Sequence, residues 1–271
     1  MCAALSAGRW LVLSASCLGG CTTLPNGHVW GEGATLAPGW EQIRVSAVNA
    51  AKDPWTWAPL LGAATVQIDN WDHRISDWAR RETPIFGSQT DAERWSDNLR
   101  SASVAAHFAT VLFTPGGDTG EEWLVNKAKG YGVQLLAATA AIETSSLVKN
   151  VTDRERPNGQ DNESFPSGHA TTSAVYTRLA TDNLDWIDMS RATRLTLTGG
   201  LDALSIGTAW ARVEAGAHFP SDTLVGMALG NFSAAFFDEA FLGHGGANAS
   251  LAFVPQPGGG EIRWQFGFGG H

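Results

Sequence analysis

Cysteine is nearly absent, with three in 271 residues, too few for a disulfide scaffold. Positive charge is scarce as well. Eighteen Lys and Arg stand against 27 Asp and Glu, a formal balance of −9. Affinity for a nucleic-acid backbone needs clustered positive charge, so that class of partner is set aside. No repeat appears, and no helical candidate is an unbroken apolar run of the ~20 residues that a bilayer span needs. What the chain does have is apolar material: 44% hydrophobic residues, 10% aromatic, 12 tryptophans. That composition can bury enough surface to offset chain entropy, which excludes a disordered tail. The length suits one large domain or two small ones, and no second domain is evident.

At the N-terminus, Arg9 precedes the short apolar run Trp10-Leu-Val-Leu13, and small residues lead to Cys21. A charge, an apolar run and small residues in that order make a secretory signal. Leu18-Gly19-Gly20-Cys21 resembles a bacterial lipobox. The resemblance implies removal of residues 1–20, diacylation of the Cys21 thiol and acylation of its new amine. Several acyl chains at one site anchor stably where a single chain is marginal. Arg9, Cys2 and Cys17 leave with the leader, so the mature balance becomes −10 and Cys21 is its single cysteine. Thr22 rather than Asp after the cysteine favours the outer membrane by the same resemblance. The expected location is the periplasmic side of the bacterial cell envelope.

Residues 21–40 contain Gly and Pro without periodicity and read as a tether. Residues 41–245 read as a helical domain. Trp71 to Arg80 repeats apolar positions at i, i+4 and i+7, and Asp91 to Val111 does so with Trp95, Leu99, Val104 and Phe108. Further helices are expected over Glu121–Val148, Thr171–Leu184, Arg194–Trp210 and Ser221–Phe241. In the tail, 246–271, two short runs flank Pro257-Gly-Gly-Gly260 and suggest a β-hairpin. The tryptophans Trp55, Trp57, Trp71, Trp78 and Trp95 read as core or interface anchors. His73, His107 and His244 lie outside any motif and read as structural or exposed.

Three short segments carry chemistry. Lys149 is followed seven places later by Arg156-Pro157; Pro166-Ser167-Gly168-His169 comes next; then Arg212-Val-Glu-Ala-Gly-Ala-His218-Phe-Pro-Ser-Asp222. Each alone is weak, since a lysine and an arginine usually form a solvated face and a lone histidine is usually structural. In this order they resemble the type 2 phosphatidic acid phosphatase and vanadium haloperoxidase superfamily. Its pattern is Lys-x6-Arg-Pro, Pro-Ser-Gly-His and Ser-Arg-x5-His-x3-Asp. The one departure is Ala211, where the family usually has serine. The resemblance implies an all-α helix bundle, here followed by the short C-terminal hairpin. It also implies that His218 is a nucleophile forming a phosphohistidine. Asp222 would hold its imidazole, and His169 would protonate the leaving oxygen and then activate water.

The residues support an anion site on their own account. A phosphate dianion needs several cations, which Lys149, Arg156 and Arg212 can supply, the arginines as bidentate forks. Ser167 suits the N-cap of a helix starting near His169, Gly168 lets backbone approach closely, and free N–H groups there favour an anion. Pro220 suits a helix start, placing Asp222 in its first turn. Arg154 and Glu155 fall off the pattern and read as surface charges or gate residues. His-x3-Asp could also ligate zinc, but surrounding cations oppose a further cation and no third ligand stands at typical spacing. No metal and no cofactor are therefore expected.

The leading expectation is a lipid-anchored, metal-independent phosphatase acting on phosphate monoesters, a lipid phosphate or a pyrophosphate, with vanadate as an inhibitor. A vanadium-dependent haloperoxidase, with vanadate as cofactor, is the first alternative; the chain is short for that group. A non-enzymatic envelope lipoprotein binding phosphorylated ligands is the second. The serine missing at position 211 removes about one hydrogen bond, on the order of 0.5–1.5 kcal/mol. Ala211→Ser should therefore leave turnover within about tenfold of wild type. A larger loss in a steady-state assay would mean a pocket packed differently from the family's.

Overall fold

The computed structural model describes residues 29–243, 248–256 and 259–267. Among the described residues, eight α-helices run in chain order: α1 Trp40–Lys52, α2 Pro54–Thr65, α3 Trp71–Glu82, α4 Gln89–Phe113, α5 Gly120–Thr152, α6 Gly168–Leu184, α7 Arg191–Glu214 and α8 Pro220–Phe237. A π-helical turn, Asp238–Leu242, extends α8. Strands β1 Asn248–Gln256 and β2 Gly259–Gly267 form an antiparallel hairpin in register from Asn248↔Gly267 to Gln256↔Gly259. The helix starts are written in the sequence. Ser88, Thr119, Ser167 and Ser190 each cap a helix through a side-chain oxygen, and Pro54 and Pro220 occupy first turns.

α6 is the central helix, packed by α4, α5, α7 and α8. Its contacts are made of small residues. Ala137, Ala138 and Ala141 of α5 meet Val175 and Leu179 of α6 and Ala234 of α8. Ala170 and Ala174 meet Ala209 of α7 and Met227 of α8. At Gly230 of α8, an added Cβ would lie 2.5 Å from the Thr171 carbonyl oxygen. The backbones of α6 and α8 are therefore nearly in contact, and this fixes the start of α6 against the middle of α8. Polar groups are buried in pairs: Ser103 with Ser173 at 2.7 Å, and His107 with Gln134 at 2.8 Å.

Several helices turn their small and polar faces inward, against the amphipathic expectation. In α4 the buried residues are Ala92, Ser96, Ser103, His107 and Val111, while Trp95 and Phe108 are about half exposed. In α3, Asp72, Ser76 and Ala79 are buried, and Trp71 and Trp78 face outward. Trp55 is likewise exposed, so these tryptophans are not core anchors. The reason is steric: close helix approach admits only small side chains, and their hydroxyls and amides then need partners across the interface. Every exposed residue of α4 from Ser101 to Phe113, and of α7 from Ala192 to Ile206, is uncharged.

The second half of the expected tether is pinned to the body. Trp30 is fully buried, its N–H donates to the Pro115 carbonyl at 2.9 Å, and its ring fills the space over Gly130. Thr35 N–H bonds the Phe241 carbonyl at 2.8 Å. The leader, Cys21 and His244 lie outside the described residues. Among the described residues no helix is long and apolar enough to cross a membrane.

Candidate active site

The site forms where four helix ends converge. Lys149 lies in the last turn of α5. The chain then folds back on itself, with Ser164 N–H donating to the Arg154 carbonyl and Arg156 N–H to the Asp161 carbonyl, each at 2.9 Å. Ser167 caps α6, accepting from Ala170 N–H at 3.4 Å. A Cβ placed on Gly168 would meet nothing within 4 Å, and the first N–H groups of a helix have no acceptor within the helix itself. Arg212 lies in the last turn of α7 and Asp222 in the first turn of α8. Ser167 N–H donates to the Asp222 carbonyl at 3.0 Å, tying the starts of α6 and α8 together.

His218 is buried, with Nδ1 2.6 Å from the Ser164 carbonyl oxygen. A carbonyl can only accept, so Nδ1 carries the proton and Nε2 the lone pair. Burial holds this imidazole well below its ordinary pKa, aided by the charges of Arg212, Arg156 and Lys149 and opposed by the Ser164 carbonyl. A neutral ring with a free Nε2 lone pair is the state a nucleophile requires.

The hydrogen bond expected from Asp222 to His218 is not formed, because the Ser164 carbonyl already holds Nδ1. Asp222 is fully buried. It accepts from Ser164 Oγ at 2.5 Å, from Phe219 N–H at 2.8 Å and from the Arg154 guanidinium. It thus fixes the residue that holds His218. Burial pushes its carboxyl up to about 6, against the Ser164 hydroxyl, the Arg154 charge and the Phe219 N–H. Arg154 is therefore no free surface charge. Besides Asp222 it donates to Asp72 at 2.8 Å and to Ser221 at 2.9 Å, and it stacks 4.2 Å from the Phe219 ring centroid. Asp72, on α3, also accepts the Ser221 N–H at 2.8 Å and its hydroxyl at 2.6 Å.

The three expected cations are brought together, and their hydrogen-bonding capacity is poorly used. Arg212 is buried. Its Nη1 lies 3.3 Å from Ser96 Oγ and 3.9 Å from Glu93, and its Nε has no partner. Arg156 reaches Asp161 at 2.5 Å and Glu163 at 3.9 Å. Burial lowers the pKa of Lys149, followed by repulsion from Arg156 and Arg212, with Glu163 and Asp161 opposing. Cations gathered in a partly buried pocket favour an incoming anion.

His169 lies at the second position of α6, its Nε2 2.8 Å from Asp97 Oδ1 of α4. Burial pushes its pKa down to about 4, helped by Arg212 and Arg100 and opposed by Asp97. Sequence reasoning missed Asp97, Asp72 and Ser164. Glu93, Ser96, Asp97 and Arg100 follow helical spacing on one face of α4, a stripe that reads as solvated until the fold turns it toward Arg212 and His169. A cleft of about 520 Å³ meets this site at Arg156, walled by His73, Arg80, Arg154 and Phe219. Neither His169 nor His218 lines it. Among the described residues, no group of three His, Cys, Asp or Glu side chains is placed to hold a metal ion.

Removing one partner of a buried charge cluster leaves the others uncompensated. Arg154→Met should lower stability by about 3 kcal/mol, measured by urea denaturation. Arg154→Lys should recover part of that loss.

The model of the PAP2 superfamily matches residues 130–240, which span all three motif segments. No curated protein sequence matches the chain. Among solved structures, the chain resembles the first transmembrane PAP2 type phosphatidylglycerolphosphate phosphatase from Bacillus subtilis. The TM-score is 0.52 at 17% identity, covering 71% of this chain and 94% of that one. Residues 130–240 thus match the PAP2 superfamily model, and the chain shares its helical fold with a PAP2-type phosphatase.

Proposed function

We propose that the protein is a phosphatase hydrolysing phosphate monoesters through a phosphohistidine at His218, without a metal ion. The observation that carries this reading is the set of underused donors around a neutral histidine: the orphaned Arg212 Nε, Lys149 and Arg156, beside the N-terminus of α6 at Gly168. These donors would bind the phosphoryl oxygens and stabilise their charge as it moves during transfer. In the first step His218 Nε2 bonds to phosphorus as the bond to the leaving oxygen breaks, and His169 gives that oxygen a proton. In the second, water attacks phosphorus, its proton passes to His169, and the P–N bond breaks to release phosphate.

The membrane-side location is part of the same proposal. The lipobox-like Leu18-Gly-Gly-Cys21 supports it, and the uncharged exposed faces of α4 and α7 suit an apolar neighbour such as lipid. Lipid phosphates or pyrophosphates near that surface are the substrates to test first.

The full-length protein should hydrolyse p-nitrophenyl phosphate in the presence of EDTA, and orthovanadate should inhibit it. His218→Ala should lower the rate by roughly 10³-fold or more, and wild type quenched in alkaline detergent should carry base-stable, acid-labile phosphate. Retained activity in His218→Ala would end the reading. Bromide oxidation with vanadate and peroxide in place of hydrolysis would point to a haloperoxidase. Labelled palmitate should enter the wild type and not Cys21→Ser; equal labelling would remove the lipoprotein assignment.

A further inference from the structure

We propose that Asp97 is the positioning residue of the proton-transfer histidine, His169: it binds Nε2–H and leaves Nδ1 to carry the proton to and from the reacting oxygen. This rests on the phosphatase reading above and adds to it a residue outside all three motif segments, 72 positions before His169.

The geometry is specific. Asp97 Oδ1 lies 2.8 Å from His169 Nε2. The Asp97 pKa is lowered, chiefly by its bond to His169, with Arg100 and Arg212 contributing. It is therefore an ionised carboxylate, which can only accept, so Nε2 must be the protonated nitrogen. Nδ1 is the ring nitrogen that remains for chemistry. α4 supplies this contact through the face that also carries Ser96 to Arg212, so one helix orients both a cation of the cradle and the proton-transfer histidine.

The electrostatics explain why such a partner is needed. The charged groups facing His169 are Arg212 from α7 and Arg100 and Asp97 from α4. Burial and the two arginines all oppose protonation, and the Asp97 carboxylate favours it. A histidine that must enter the first step as imidazolium cannot easily do so among cations alone. With Asp97 at Nε2, the imidazolium is stabilised, its Nδ1–H passes to the leaving alkoxide, and the neutral ring left behind takes a proton from water in the second step. The arrangement complements that at His218, where a neutral carbonyl holds Nδ1 and exposes Nε2.

The test exploits leaving-group chemistry. A p-nitrophenolate departs as a stable anion and needs little help from an acid. An alkoxide such as that of glycerol needs a full proton. In the full-length protein, Asp97→Asn should lower kcat on glycerol phosphate by roughly 10²-fold and on p-nitrophenyl phosphate by less than about tenfold. The alkaline limb of the kcat profile should move to lower pH, because removing the carboxylate makes His169 lose its proton sooner. Asp97→Glu should restore part of the glycerol phosphate rate. Equal losses on both substrates with an unmoved pH limb would make Asp97 merely structural and overturn the proposal. A gain in rate on removal would overturn it too, showing that Asp97 obstructs His169. Wild-type protein that hydrolyses neither substrate would instead remove the phosphatase reading, and the positioning role with it.

Discussion

Burying the carboxylate of Asp222 is costly unless donors surround it, and the way this chain meets that demand organises the site. Donors come from Ser164 in the loop after α5, from the Phe219 N–H at the start of α8, and from Arg154, which also holds Asp72 of α3. Three parts of the chain, the loop after α5, the start of α8 and α3, are thereby tied to one buried negative charge. Ser164 is the consequential member, because its carbonyl is what orients His218. Asp222 therefore governs the histidine at one remove. The short-range logic of a His–Asp pair four residues apart is replaced by a backbone carbonyl that the aspartate keeps in place.

Much of this was legible in the sequence, and the boundary of legibility has physical causes. Helix starts marked by Ser or Thr caps and by Pro220 stand where local chemistry puts them, since capping is decided within three residues. Lys149, Arg156, Arg212, Ser167, Gly168, His169, His218 and Asp222 meet because the helix ends that carry them meet. Facing was harder to read. Trp95 and Phe108 looked like the inner stripe of α4, yet Ser96, Ser103 and His107 are the buried ones. A hydrophobic period identifies a helix, but which face is buried depends on how closely its neighbours approach. Asp97 and Asp72 were invisible for a related reason: an acidic residue on an amphipathic helix has no local mark to separate a ligand of a distant group from a solvated charge. Arg154 was misread because its partners are 68 and 82 residues away in sequence.

The scarcity of positive charge takes on a different meaning in three dimensions. An overall balance of −9 coexists with a pocket in which Lys149, Arg156 and Arg212 repel one another. Acidic neighbours such as Asp161, Glu163 and Glu93 lie at its rim and engage these cations only in part. A net-acidic surface with a cationic pocket disfavours extended polyanions while leaving a small phosphate group well matched.

Two histidines in one pocket can play opposite roles only if their surroundings differ. His218 is buried and His169 partly buried among cations, which keeps both neutral at rest. The difference lies in what holds the second ring nitrogen. A neutral carbonyl at His218 fixes the tautomer without adding charge, so the ring stays an uncharged nucleophile. A carboxylate at His169 fixes the opposite tautomer and supplies the negative charge that makes protonation attainable once substrate arrives. In the proposed reaction, acid and nucleophile are thus distinguished by one formal charge at hydrogen-bond distance, on residues drawn from different helices.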